Sequence, residues 1–427
     1  MKAAVLALSG AAITGCVAVW AMTGDQTGRV AAHLLLFAVA FAAYLAALSA
    51  SAGLTRRGLA VALAVSALWR LLLVMAPPLL SNDVNRSVWE GRVQLHGGNP
   101  YAWSERPDAP KWTPLRDDVW RGLNHPDYAA VYPPAWQLAS RAVVSVSDSI
   151  PAMKGFLAGC ELLCLVPLAA LLRRRGLPRE RLLVLAWSPL ALVETAGGGH
   201  NEAMGALFLV LALAALESGR PLLSALAAAV GFEAKLLPGL VAAAWARRYR
   251  VSHVAAAAAL SVALVWPYRG AGREIFSSLS KYSEFWRFNE TLFAPLAAVL
   301  GGHLAAVRAG SILVLALALA LAWRRAEPVA AATAVVLATL LLSPNVLPWY
   351  ALWLLPLLVL RDEPALLLYT GTASLAYLVY PTWQSGERWA IGWDLRALEY
   401  APCALVFLLS RAARRPEGPV PGGAAVK

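Results

Sequence analysis

The residues best suited to chemistry collect in a few short polar stretches set between long apolar ones. The first is SNDVNRSVWEG, Ser81 to Gly91. It follows directly on an apolar run, so Asp83 sits on an anchored element, where a carboxylate could take the proton from a hydroxyl as that hydroxyl attacks. The same residue could equally act as a helix cap, in a simple turn toward Arg86. GGGHNE, Gly197 to Glu202, sets His200, Asn201 and Glu202 at a tip where glycine lets the backbone approach a ligand closely. Capping by Asn201 is the plainer reading of that stretch, and a divalent metal on His200 and Glu202 is a further one. Glu233 and Lys235 interrupt an apolar hairpin. Ionisable groups at membrane depth face a polar cavity or snorkel to the interface. In YSEFWRFNE, Tyr282 to Glu290, Arg287 stands between Trp286 and Phe288 with Asn289 close behind. Arg among aromatics suits a phosphate near a headgroup plane, or simply anchors an aromatic belt. SPNVLPWY (Ser343 to Tyr350) and TWQSGERWAIGWD (Thr382 to Asp394) complete the set.

The elements that must hold these stretches are membrane spans. The chain has 427 residues, 59% hydrophobic and 15% charged, with a mean hydropathy of +0.59. A soluble protein runs nearer about 45–50% apolar and about 25% charged. Runs such as Ile312 to Ala322 and Val335 to Leu342 hold no ionisable side chain. The pattern predicts an all-α polytopic membrane protein of about 12–14 transmembrane helices. They fall at about 3–22, 30–53, 59–79, 152–172, 182–196, 202–217, 221–233, 236–246, 252–268, 304–323, 328–342, 349–361, 364–381 and 398–411. The first span follows a single Lys2, as a signal peptide would, but Trp20–Ala21–Met22 fits a retained helix better than a cleavage site. The four cysteines, Cys16, Cys160, Cys164 and Cys403, lie in apolar spans without CxxC or metal spacing.

The net charge of +12 has a topological explanation. Arg56–Arg57, Arg173–Arg174–Arg175, Arg247–Arg248–Arg250, Arg324–Arg325 and Arg411–Arg414–Arg415 all occupy short links. With the N-terminus inside, every cluster falls in the cytoplasm, as the positive-inside rule asks. A nucleic-acid partner is therefore not expected. The polar stretches all fall on the opposite, extracytoplasmic side, together with a long loop from Ser81 to Ile150. That loop nearly balances its charges and carries Trp89, Trp103, Trp112, Trp120, Trp136, Tyr101, Tyr128 and Tyr132. Such aromatics suit a headgroup layer and also stack on sugar rings. Within it, Pro134 to Ser149 is too short and polar to cross and reads as a helix lying along the membrane surface.

The ordered motifs resemble the membrane-embedded glycosyltransferases of the GT-C superfamily, which use polyprenyl-phosphate-linked sugars, and most of all their bacterial mannosyltransferase-like branch. The residues that carry the resemblance are Asp83, Arg86, Trp89–Glu90–Gly91, Gly97–Gly98–Asn99–Pro100–Tyr101 and Tyr132–Pro133–Pro134. His200–Asn201–Glu202, Trp286–Arg287–Phe288–Asn289 and Pro348–Trp349–Tyr350 follow in order. A distant similarity to GPI mannosyltransferase I is visible in the acidic motif and the Gly-x-x-Pro-Tyr segment. Position 85 is Asn where the branch more often has Tyr, no second Asp makes an Asp-x-Asp, and position 90 is Glu where Asp is commoner. These departures leave metal dependence and sugar identity open.

The resemblance implies two extra N-terminal helices (1–58), a GT-C-like catalytic domain (59–411) containing the loop 81–150, and a basic cytoplasmic tail (412–427). It implies transfer of a hexose, mannose first, to a lipid-linked or cell-envelope acceptor on the extracytoplasmic face of the inner membrane. Asp83 would be the base of an inverting displacement, with Arg86, Lys235 and Arg287 as candidates to hold the phosphate. Glu90, Asn99, Tyr101, Tyr132, His200, Asn201, Glu202, Trp286, Asn289, Trp349 and Tyr350 would contact sugar or acceptor. No cofactor is required beyond a possible divalent metal. The competing class is a multi-pass transporter or lipid flippase, which should show a central passage rather than a lateral groove.

Overall fold

A computed structural model describes residues 1–386 and 388–413. The basic tail expected over 412–427 therefore lies, from residue 414 on, outside the described residues. Those described are mostly helical, with no strand; one isolated bridge pairs Phe288 with Asn345. The protein is an all-α polytopic membrane protein.

Long Ala/Leu/Val runs make the helices, and local chemistry ends them. The first two are Lys2–Thr23 and Val30–Ala50. Thr55 caps the third, Arg56–Met75, by accepting from Gly58 N at 3.1 Å, and Pro77–Pro78 close it. Ser149 caps Ile150–Arg174 through Ala152 N at 3.3 Å. Glu327 caps Pro328–Leu342 by accepting from Ala330 N at 2.7 Å. The helix Val251–Val265 has no buried residue at all, and Ile312, Leu313 and Leu319 of His303–Trp323 point outward. Such surfaces are stable only against lipid.

Where about fourteen apolar runs were expected as spans, six helices among the described residues are long and apolar enough to cross alone, or seven if Pro189–Gly197 and Glu202–Glu217, bent by 119°, form one span. Prolines account for part of the difference, because Pro348, Pro356 and Pro364 divide the C-terminal apolar sequence into short pieces. The 182–196 span breaks into single turns and a π-turn at Leu192–Gly197. The last helix, Trp393–Ala413, is 21 residues long but carries Asp394, Arg396 and Glu399.

Buried ionic contacts fix the helix leading to Asp83. Arg70 Nε donates to Glu161 Oε1 at 3.0 Å and Arg70 Nη1 to Ala186 O at 2.9 Å, all within the core. Lys154, fully buried, donates to Leu73 O at 2.8 Å and Ala76 O at 2.7 Å. Buried charges persist only when paired in this way. The first two helices join the same bundle, with Tyr44 OH donating to Val184 O at 2.7 Å.

The loop folds into two packed helices, Asp83–Leu95 and Pro134–Val146. They touch at Gly91, where an added Cβ would stand 2.8 Å from Ser140 O. Pro134–Val146 turns Trp136, Gln137, Ser140 and Val144 inward while Arg141, Ser145 and Val146 stay exposed. Arg92 ties the two ends of the loop together, with Nε donating to Asp148 Oδ1 at 2.7 Å and Nη1 to Asp117 Oδ1 at 2.9 Å.

Candidate active site

Asp83 is the first residue of its helix, and its carboxylate caps nothing: Asn82 holds the cap position without a side-chain capping bond. Asn124 Nδ2 instead donates to Asp83 Oδ1 at 3.2 Å, and also to Asn82 Oδ1. Asp83 faces a cleft of about 1500 Å³. Every segment lining that cleft comes from one end of the bundle: 25–27, 77–86, 124–133, 235–237, 278–288, 343–350 and 380–389, with Ile150, Val336, Thr339, Leu340 and Trp353 from helical segments. No residue of the basic links at the other end contributes. There Arg175 pairs with Glu217 and Glu327 and staples three helices.

Arg86, Tyr132, Lys235, Trp286, Arg287, Trp349 and Tyr350 line the cleft with Asp83. Arg86 is largely committed to the loop itself. Its Nη2 donates to Asn124 O at 2.8 Å and His125 O at 2.6 Å, its Nη1 to Tyr128 O at 3.2 Å. Lys235 Nζ lies 2.6 Å from Glu202 Oε1 and donates to Asn201 Oδ1 at 2.8 Å. It also sits 4.7 Å from the ring centre of Tyr132. Asn201 opens the helix Glu202–Glu217 without capping it by its side chain, so the lysine contact replaces the capping role. Arg287 is the most open of the three cations, 46% exposed, with Glu290 Oε1 accepting from its Nη2 at 2.7 Å. Burial, with Asp83 and Glu202 nearby, holds the Tyr132 phenol well above its usual pKa, so it stays a neutral hydrogen-bonding group.

His200 stands one layer back, stacked on Trp349 at 3.9 Å, with Nδ1 2.9 Å from Glu194 O and 3.2 Å from Glu194 Oε2. The Glu194 carboxylate also accepts from Tyr377 OH at 2.9 Å.

His200, Asn201 and Glu202 do not line the cleft, and four further candidates do not either. Glu90 is buried, accepting from Gln137 Nε2 at 2.6 Å, and burial pushes its carboxyl up against the pull of Arg86. Asn99 donates to Tyr268 O at 3.1 Å, and Tyr101 OH donates to Tyr132 O at 2.6 Å. Asn289, at φ 51°, donates to Glu399 Oε2 at 2.8 Å. Each of the four packs the loops that shape the cleft. Among the described residues no three His, Cys, Asp or Glu side chains form a group that could hold a metal ion.

The tertiary structure adds residues that motif reading passed over. Tyr282 OH lies 2.8 Å from Tyr350 OH, and Asn345 Nδ2 donates to Tyr282 OH at 2.5 Å. Both Tyr282 and Asn345 stand inside polar stretches already singled out, so their position was the available signal. They meet because Phe288 N donates to Pro344 O and Val346 N to Phe288 O, each at 2.9 Å. Glu194 could have been found as a lone acid within an apolar run. Asn124 had no such signal. On one side the cleft becomes apolar, through Leu236, Leu237, Val336, Leu340 and Leu347.

A family model described as alpha-(1->6)-mannopyranosyltransferase, N-terminal domain, matches residues 2–248. The match takes in the first two helices together with Asp83, His200 and Lys235. No curated protein and no solved structure matches the chain.

Proposed function

Because the chain belongs to the alpha-(1->6)-mannopyranosyltransferase family and is thus a membrane glycosyltransferase, we propose that it moves mannose from a polyprenyl-phosphate donor onto an acceptor hydroxyl. The observation that carries this is the composition of the cleft: a carboxylate, cations and an apolar flank opening together at one end of a lipid-embedded bundle. The isoprenoid chain lies along Leu236, Leu237, Val336 and Leu340, where it exchanges one apolar surround for another. Its phosphate meets Arg287, the cation whose charge is most open to the cleft. Basic links at the opposite end support an extracytoplasmic site, by the positive-inside rule.

In the reaction Asp83 takes the proton of the acceptor hydroxyl as its oxygen bonds to the anomeric carbon. The bond from that carbon to the phosphate oxygen breaks, and polyprenyl phosphate leaves with the electron pair. The leaving group needs charge stabilisation rather than a proton, so one base suffices. A single displacement inverts the anomeric centre. An α product, as the family description has it, then requires a β-linked donor.

The test is transfer from a panel of radiolabelled polyprenyl-phosphate sugars into membranes lacking the protein, with and without it restored. Label should pass from the mannosyl donor only when the protein is present, and on the outer face. Failure with every donor, or labelling of Ser81–Ile150 from the cytosol, would reject the assignment. Arg287→Ala should raise the donor KM at least tenfold, with the acceptor KM little changed, since a charge-assisted bond contributes about 1.5–3 kcal/mol. Equal rises in both would make Arg287 structural.

A further inference from the structure

The wall of the cleft beside Asp83 is built from three segments stitched together. Gln26 N donates to Leu79 O at 2.6 Å, and Gly24, at φ 62°, packs against Pro77, where an added Cβ would stand 3.2 Å from the ring. From the other side Tyr380 OH donates to Leu80 O. Gln384 Nε2 closes the triangle by donating to Thr27 O at 3.1 Å. The backbone that leads into Asp83 is thus held between the link joining the first two helices and the segment that carries Tyr380 and Gln384. Both segments face the cleft, the first with Asp25 and the second with Trp383, Gln384 and Trp389. Trp383 is 51% exposed and meets Trp389 edge-on at 5.7 Å.

We propose that this wall is the acceptor subsite and that it takes an uncharged oligosaccharide, the ring beyond the reacting one stacking on Trp383. The proposal rests on the glycosyl-transfer reading, because Asp83 can take a proton only from a hydroxyl beside it. The sugar that carries this hydroxyl must then extend along the adjoining wall. An accessible indole offers a flat apolar face to the C–H side of a pyranose, while a carboxylate and an amide answer its hydroxyls. Neither segment contributes a Lys or Arg to the lining, so nothing there suits a phosphate headgroup. The first two helices would accordingly be part of the specificity apparatus, through the link that joins them.

The test uses the full chain in proteoliposomes, a labelled polyprenyl-phosphate mannose, and two acceptors, octyl mannoside and octyl mannosyl-mannoside. Trp383→Ala should raise the KM for the disaccharide about tenfold, as truncation of a central aromatic contact does, and the KM for the monosaccharide much less. Donor KM and the thermal midpoint should stay unchanged, and Trp383→Phe should recover most of the loss. An unchanged disaccharide KM, or equal rises for donor and both acceptors, would overturn the subsite while leaving glycosyl transfer intact. A wild-type chain that transfers to neither glycoside nor to native membrane acceptors would sink glycosyl transfer itself, and the subsite with it.

Discussion

Asp83→Asn folds, binds donor and loses transfer by about 10²–10⁴-fold, the range a positioned general base contributes. Asn matches Asp in shape, and position 83 makes no cap that the substitution would remove. Its one side-chain partner, Asn124 Nδ2, still finds an amide oxygen. What disappears is the ability to accept a proton. The rate should therefore fall at saturating donor and acceptor, with both KM values near wild type, the signature of an interaction used only in the transition state. Single-turnover transfer in proteoliposomes, with thermal melting as the fold control, measures it. Wild-type-like turnover would remove Asp83 from the role. If Asp127→Asn abolished transfer instead, the base would be Asp127, which lines the same cleft.

Lys235→Met has the largest expected effect on stability. Glu202 is completely buried, and Lys235 Nζ is the cation paired with it, 2.6 Å away. Removing one partner of a buried pair leaves the other charge uncompensated and costs about 3–5 kcal/mol. The double variant Lys235→Met/Glu202→Gln removes both charges and should recover most of that loss. Detergent-solubilised melting curves decide the point. A single variant as stable as wild type, or a double no better than the single, would show that the pair does not hold the cleft floor. Because Lys235 is engaged by Glu202 and Asn201, its charge is largely answered within the protein. On the proposed reading donor phosphate then depends chiefly on Arg287, and the Arg287→Ala kinetics give an independent check.

Much of the architecture was legible before any coordinates. The ends of Arg56–Met75, Glu202–Glu217, His303–Trp323 and Pro328–Leu342 fall within four residues of where apolar runs, caps and prolines put them. Which apolar runs would form one long helix was not legible. An apolar run of about fifteen residues reads the same whether it crosses lipid or folds as short turns against other helices. Only packing separates the largely buried Leu183–Ala186 and the fully buried Leu355–Leu360 from the lipid-facing Val251–Val265.

The candidate site divides along a similar line. The sequence by itself determined that this is a membrane protein with its polar chemistry at one end, because hydropathy and charge are local properties that need no partner to be read. It also put Asp83, Lys235, Arg287 and Tyr350 in stretches that proved to share a cleft. Tertiary structure alone decided which polar groups face that cleft and which are used up inside. Glu90, Asn99, Tyr101 and Asn289 look as chemical as Asp83 in the sequence, yet each has a polar atom bound by a neighbour at least 30 residues away, such as Gln137 or Glu399. The physical reason is that a side chain's availability depends on what satisfies it, and hydrogen-bond partners so distant along the chain are chosen by the fold.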